Sequence, residues 1–195
     1  MYIFLINQKS GNGKAFTKWK ELQIILNDMN ISYEIHTCTD NETTYKYMDK
    51  KIKSKRVKAF VVIGGDGTIS SVIQKLAHTQ IPLAILPAGS GNDVCRNFNL
   101  ASDIPTFVKK LLENRQITID LLNINGLFGI TVAGIGLDAK IGKRADKSFY
   151  KRWLNKINKG SSAYTIAAVM ELLTFRPFLG SVYVDGKTTY IPNYG

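Results

Sequence analysis

Through residue 113 the chain alternates between short apolar runs and longer stretches of helical spacing. Residues 2–6 and 59–63 are uninterrupted apolar runs, the pattern of strands buried on both faces of a parallel sheet, and residues 31–36 and 81–86 read as two more strands. Between them, residues 15–29 place Phe16, Trp19, Leu22, Ile25, Leu26 and Met29 on one side of a helix. Residues 42–53, 69–77, 92–98 and 104–113 also read as helices. Such alternation predicts a Rossmann-like α/β domain over residues 1–115, with a mostly parallel sheet and ligands at the carboxyl ends of its strands. The pattern changes near Gln116. Residues 117–125 and 127–133 flank Asn125-Gly126, a hairpin signal, and residues 181–184 run into the turn Asp185-Gly186. Helix-like sequence at 138–158 and 163–174 separates them, so residues 116–195 are expected to form a β-rich second domain with a helical insertion.

The polar breaks carry the candidate chemistry. After the apolar run 59–63 come Gly64-Gly65-Asp66-Gly67-Thr68, and helix-like sequence resumes at Ile69. A strand that turns there into a helix leaves unpaired amides where the helix dipole favours anions, and the glycines let the backbone approach a phosphate. Asp66 adds a carboxylate able to hold Mg2+ or to take a proton, and Thr68 adds a hydroxyl. Pro87-Ala88-Gly89-Ser90-Gly91-Asn92-Asp93 is a second such loop, in which Asn92 or Asp93 can equally serve as a helix cap. Ser10-Gly11-Asn12-Gly13-Lys14 is a third, with a lysine suited to phosphate oxygens, but it lacks the spacing of a Walker A loop. The predicted topology puts all three on one rim.

Composition changes little: 195 residues, 45% hydrophobic and 21% charged, describe a globular chain with room for one domain and part of another. Cys38 and Cys95 form neither a disulfide framework nor a metal-ligand set, which points to a reducing, cytoplasmic compartment. The apolar start is too short for a membrane span and lacks a basic leader, so it reads as a strand. The net charge of +11 implies an anionic partner. No nucleic-acid-binding motif accompanies it, so no nucleic-acid partner is expected. Eight lysines and arginines lie among Phe149, Tyr150, Trp153, Leu154 and Ile157 in residues 140–159. That stretch suits either a helix packing its aromatics on the second domain or one resting on an anionic membrane, with the protein peripheral to its inner face. His36 and His78 have no ligand-like spacing.

Together, Gly64-Gly65-Asp66-Gly67-Thr68, Pro87-Ala88-Gly89-Ser90-Gly91-Asn92-Asp93 and residues 7–14 resemble the bacterial diacylglycerol kinase catalytic-domain family, soluble lipid kinases related to sphingosine kinases. The resemblance continues through Asp120 and Gly134-Ile135-Gly136-Leu137-Asp138-Ala139, whereas the first run alone is shared with NAD kinases. It implies an α/β nucleotide-binding domain followed by a β-sandwich domain, with the active site in the cleft between them. It also implies that Gly64, Gly65, Gly67 and Thr68 contact the phosphates of ATP, while Asp66 acts on Mg2+ or on the acceptor hydroxyl. Asn7, Ser10, Gly11, Gly13 and Thr39 would line the nucleotide site, with Gly89, Ser90 and Asn92 opposite and Lys14 adding positive charge. Gln8 replaces the usual Pro, Ser90 the commoner Thr, and Ser70-Ser71 the usual Asn-Glu pair.

Members of that family run to roughly three hundred residues, well past one average domain, and carry a late Asp-Gly-Glu-like catalytic motif. Asp185-Gly186 precedes Lys187 and comes too early to be it, so the second domain is expected to be incomplete, a truncated β-sandwich. Three functions follow. The first is an ATP- and Mg2+-dependent kinase acting on diacylglycerol or a similar lipid at an anionic membrane surface. The second is a nucleotide-binding but catalytically incomplete fragment, whose exposed β edges favour homodimers. An NAD kinase is the third.

Overall fold

The computed structural model describes residues 1–134, 139, 140 and 180–191. It divides into two compact units, Met1–Val132 and Ala133–Gly195. The helix-like stretches 138–158 and 163–174, and with them the basic segment 140–159, lie outside the described residues apart from 139 and 140.

In the first unit, β1 (Tyr2–Ile6), β2 (Tyr33–Thr37), β3 (Ala59–Gly64) and β4 (Leu83–Pro87) form a parallel sheet in the order β2-β1-β3-β4. Every residue of β1 and β3 is buried, which accounts for their unbroken apolar sequences. Phe4 opposes Val61 and Leu5 opposes Val62, so the alternation of the pleat builds two cores. Phe4, Ile6, Val61 and Ile63 pack on one face against α1 (Lys14–Asp28) and α5 (Ile104–Glu113). Ile3, Leu5, Phe60 and Val62 pack on the other against α2 (Asn41–Lys53) and α3 (Asp66–Leu76). A short α4 (Asp93–Asn97) precedes α5.

The apolar stripe of α1 is narrower than its spacing predicts. Trp19, Leu22 and Leu26 are buried, whereas Phe16 and Met29 lie at the ends of the helix and stand 43% and 49% exposed. Lys20 covers Phe16 with a cation–π contact of 5.3 Å. Trp19 instead meets Phe4 and Tyr33 in an aromatic cluster. Leu22 is fully buried in this core. Leu22→Ala is therefore expected to cost about 2–5 kcal/mol in a urea titration; a cost under ~1 kcal/mol would show that α1 does not anchor the sheet.

α3 begins three residues before the sequence pattern predicts. The Gly65 carbonyl accepts from both the Thr68 and Ile69 amides, so Asp66-Gly67-Thr68 are the first helical turn and not a loop before it. The predicted hairpin forms as β5 (Leu122–Ile124) and β6 (Leu127–Gly129), with Asn125 and Gly126 both at positive φ in its turn. It packs within the first unit. Gln74 of α3 donates to the Phe128 carbonyl at 2.7 Å and accepts from the Phe128 amide at 2.9 Å, standing in for a neighbouring strand. His78 meets the Phe128 ring edge-on at 5.3 Å. In the second unit, β7 (Gly180–Val184) and β8 (Lys187–Ile191) pair antiparallel around Asp185-Gly186. The architecture is thus α/β with a parallel four-stranded sheet, followed by small antiparallel pairs.

Candidate functional site

Because β1, β3 and β4 are adjacent, the loops leaving them meet at the carboxyl end of the sheet, on the rim predicted for them. Side chains bind these loops to one another. Asn7 Nδ2 donates to Thr68 Oγ1 at 3.0 Å, and Ser10 Oγ donates to the Ala88 carbonyl at 3.3 Å. The Asn92 side chain closes its own loop, accepting from the Gly89 amide at 2.8 Å and donating to the Gly89 carbonyl at 3.0 Å. It does so from a left-handed backbone conformation (φ 56°) that asparagine tolerates well. Lys18 Nζ donates to the carbonyls of Pro87 (2.8 Å) and Ser102 (2.7 Å), and burial holds its pKa below the ordinary lysine value.

Two glycines make the packing possible. A Cβ on Gly89 would sit 2.5 Å from Gly65 Cα, and one on Gly65 would sit 2.9 Å from Gly89 Cα, so the backbones touch directly. Gly11 meets the same rim at positive φ (59°), with the Ala88 carbonyl oxygen where its Cβ would be. Gly67 differs, as does Gly13: a Cβ at either meets nothing within 4 Å.

Asp66 stands at the first position of α3, and its Oδ1 accepts from the Val94 amide of α4 at 3.1 Å. The carboxylate thus joins the first turns of two helices, whose amides both favour its negative charge. Its Oδ2 faces Gly91, 2.9 Å from where a Cβ would sit. At the start of α3, the Asp66 and Gly67 amides have no acceptor within the helix.

A small cleft of about 130 Å³, open to solvent, lies beside this turn and is lined by Asn7, Thr39, Gly67 and Thr68 together with Asp40, Asn41 and Ser71. Its far wall is built by α2: Asp40 caps that helix by accepting from the Thr43 amide at 2.8 Å, and Ser71 Oγ donates to Asn41 Oδ1 at 2.7 Å. Hydrogen bonds from Thr43 and Thr39 hold the Asp40 carboxyl below its ordinary pKa. Cys38 also lines the cleft, but burial raises its pKa. Burial, followed by the nearby charge of Asp66, pushes Cys95 up to about 11. Neither thiol is a thiolate at neutral pH, which leaves no activated sulfur nucleophile here. His36 stacks on Tyr47 at 4.4 Å beneath α2. Among the described residues, no group of three or more His, Cys, Asp or Glu side chains is arranged to hold a metal.

Of the residues singled out by sequence, Asn7, Thr39, Gly67 and Thr68 line the cleft. Gly64, Gly65, Ser10, Gly11, Gly89 and Asn92 form the packed junction of the loops. Gly13 leads into α1, where Lys14 is exposed, and Ser90 is exposed at the tip of the β4 loop. Sequence reasoning missed Lys18, Asp40 and Asn41. A cap signal was available for Asp40, followed three residues later by Thr43, but nothing in the spacing of Lys18 announces its two carbonyls.

Known proteins share this sequence pattern and fold. The family described as Diacylglycerol kinase catalytic domain matches residues 1–124. Diacylglycerol kinase of Mycobacterium tuberculosis, in two strains, is 39% identical over 140 residues, covering 68% of this chain and 43% of that protein. A crystal structure of a diacylglycerol kinase from Bacillus anthracis superposes with a TM-score of 0.66 at 23% identity, over 97% of this chain and 60% of that one. The chain therefore spans less than half the length of the mycobacterial relatives. Among the described residues, no helix is long and apolar enough to cross a membrane. With its matched residues covering the sheet, the three loops and Asp66, the chain belongs to the diacylglycerol kinase catalytic-domain family.

Proposed function

We propose that this chain carries the nucleotide-binding half of an ATP- and Mg2+-dependent lipid kinase, which transfers the γ-phosphoryl group to the hydroxyl of diacylglycerol or a similar lipid. The observation that carries this reading is the first turn of α3, where two amides have no helical acceptor, Gly67 and Thr68 line the cleft, Gly67 has open space before it, and the Asp66 carboxylate stands in the same turn beside α4. There the amides of Asp66 and Gly67 hold phosphate oxygens, Thr39 and Thr68 offer hydroxyls beside them, and exposed Lys14 adds positive charge. Phosphoryl transfer is mostly positioning and charge stabilisation, and a rim of fixed backbone donors provides both.

A carboxylate suits Mg2+, which takes one or two carboxylates and fills its other positions with waters and substrate phosphates. When bound, the ion would neutralise charge on the transferring phosphates. Asp66 is the residue that would hold it; the same carboxylate is also suited to accept the proton of the lipid hydroxyl as its oxygen bonds to phosphorus. The net charge of +11 favours an anionic membrane surface as the place where the acceptor is met.

The test pairs nucleotide binding with ATP-dependent phosphorylation of diacylglycerol in mixed micelles. Binding together with transfer is the expected result, and absence of both overturns the reading. Binding without transfer would select a second reading, a chain that binds nucleotide but does not by itself phosphorylate the lipid. Transfer to NAD instead of lipid would select the NAD kinase reading.

A further inference from the structure

Lys18 is a cation to which the nucleotide reading gives no task. It lies on α1 beyond the first glycine loop, half-buried, and makes two short hydrogen bonds to backbone carbonyls far away in sequence. One partner is Pro87, the last residue of β4, and the other is Ser102, immediately before the Asp103 cap of α5. These two residues bracket the excursion of residues 88–101, which contains the second glycine loop after Pro87 and α4. That excursion leaves an edge: among the described residues, β4 has a neighbouring strand on the β3 side only, so no further strand meets the Pro87 carbonyl from the open side.

The excursion meets the rest of the rim at Ala88, Gly89 and Val94. Ala88 donates its amide to the Gly64 carbonyl at 2.8 Å and accepts from Ser10 Oγ, Gly89 lies against Gly65, and the Val94 amide donates to Asp66. Each of these contacts depends on where residues 88–94 begin and on where the chain returns. We propose that Lys18 is a positioning residue for the candidate phosphate site: by clamping the carbonyls of Pro87 and Ser102 with one ammonium, it fixes both ends of the 88–101 excursion and so holds Gly89 and the Asp66–Val94 bond in register with the first turn of α3.

A point charge with three donors suits two carbonyls that converge from different segments. Glu21 and Asp103, whose charges favour the protonated amine, lie near enough to offset part of the cost of its burial. The consequence for nucleotide binding rests on the function proposed above, whereas the clamp itself does not.

The test uses Lys18→Met, which keeps most of the length and the apolar character of the stem and removes its donors. Amide hydrogen exchange in residues 88–101 should quicken by about tenfold or more, with exchange in β1 and β3 unchanged, as expected for local opening of one segment. ATP affinity should fall by about tenfold, while Lys18→Arg retains a part of both. Wild-type exchange over 88–101 in the Met variant, or a uniform acceleration throughout the unit, overturns the clamp. Should the Met variant fail to fold, the wild-type protein supplies the decision. Its Lys18 ammonium should give an Nζ resonance with protons protected from water, assigned by its loss in Lys18→Arg, and no such protected resonance overturns the proposal. If the wild type binds no ATP but the exchange and Nζ results are as expected, the nucleotide reading falls and the clamp stands.

Discussion

Asp66→Asn is expected to lower kcat for phosphoryl transfer by at least about 10²-fold, the effect of losing a positioned charge or base, with little loss of stability. The geometry makes this substitution a clean one. Asp66 Oδ1 accepts a hydrogen bond from the Val94 amide at 3.1 Å, and an asparagine oxygen occupies the same place at nearly the same volume. What disappears is the negative charge, and with it any capacity to bind Mg2+ strongly or to take a proton. Asp66→Ala differs, because it also leaves the Val94 amide without its acceptor and should cost about 1–3 kcal/mol in a denaturant titration. If Asn is inactive and stable while Ala is inactive and destabilised, the carboxylate has both a chemical and a structural role. Wild-type turnover in the Asn variant would remove Asp66 from the chemistry and leave it as the tie between α3 and α4.

The same residue shows what was legible in the sequence. The apolar runs of β1 and β3 reveal a doubly covered parallel sheet because burial on both faces leaves polar residues no place in a central strand. Adjacent strands then bring their loops together, so the rim could be predicted from strand and helix order. Residue type also marked the polar groups of that rim, but not what they touch. The motifs assign Asn7, Ser10 and Asn92 to a ligand site; Asn7 lines the cleft, and all three side chains are also hydrogen-bonded, to Thr68, Ala88 and Gly89, within and between the loops. A hydroxyl or amide suited to a phosphate is equally suited to a carbonyl, and only the approach of two distant segments decides between them. Lys18 and Gln74 were illegible for the same reason, since each serves backbone groups tens of residues away. The start of α3 was hidden differently. Glycine-rich sequence signals a break, yet the Gly65 carbonyl turns Asp66-Gly67-Thr68 into helix.

Gly67→Ala should raise stability and weaken ATP binding together. Residue 67 is the second position of α3, its φ lies outside the left-handed region, and a Cβ there meets nothing within 4 Å. Nothing in the fold therefore asks for glycine. Alanine restricts the unfolded chain and suits a helix better by about 0.5–1 kcal/mol, which for a chain of this size raises Tm by about 1–4 °C. Yet Gly67 lines the cleft at the open end of the helix, where a methyl group would stand between the backbone amides and an approaching phosphate oxygen. Loss of one charge-assisted hydrogen bond, about 1.5–3 kcal/mol, corresponds to about tenfold or more in Kd. Gly65→Ala and Gly89→Ala cannot separate these effects. Their Cβ atoms would lie 2.9 and 2.5 Å from the opposing glycine Cα, so overpacking of about 1–3 kcal/mol would disturb the rim whether or not a ligand binds. Calorimetric titration with ATP alongside a thermal melt reads both quantities for Gly67→Ala. A variant that melts higher and binds ATP like the wild type would take the phosphate away from the first turn of α3. A higher Tm with weaker binding can come only from a glycine required by the ligand and not by the fold.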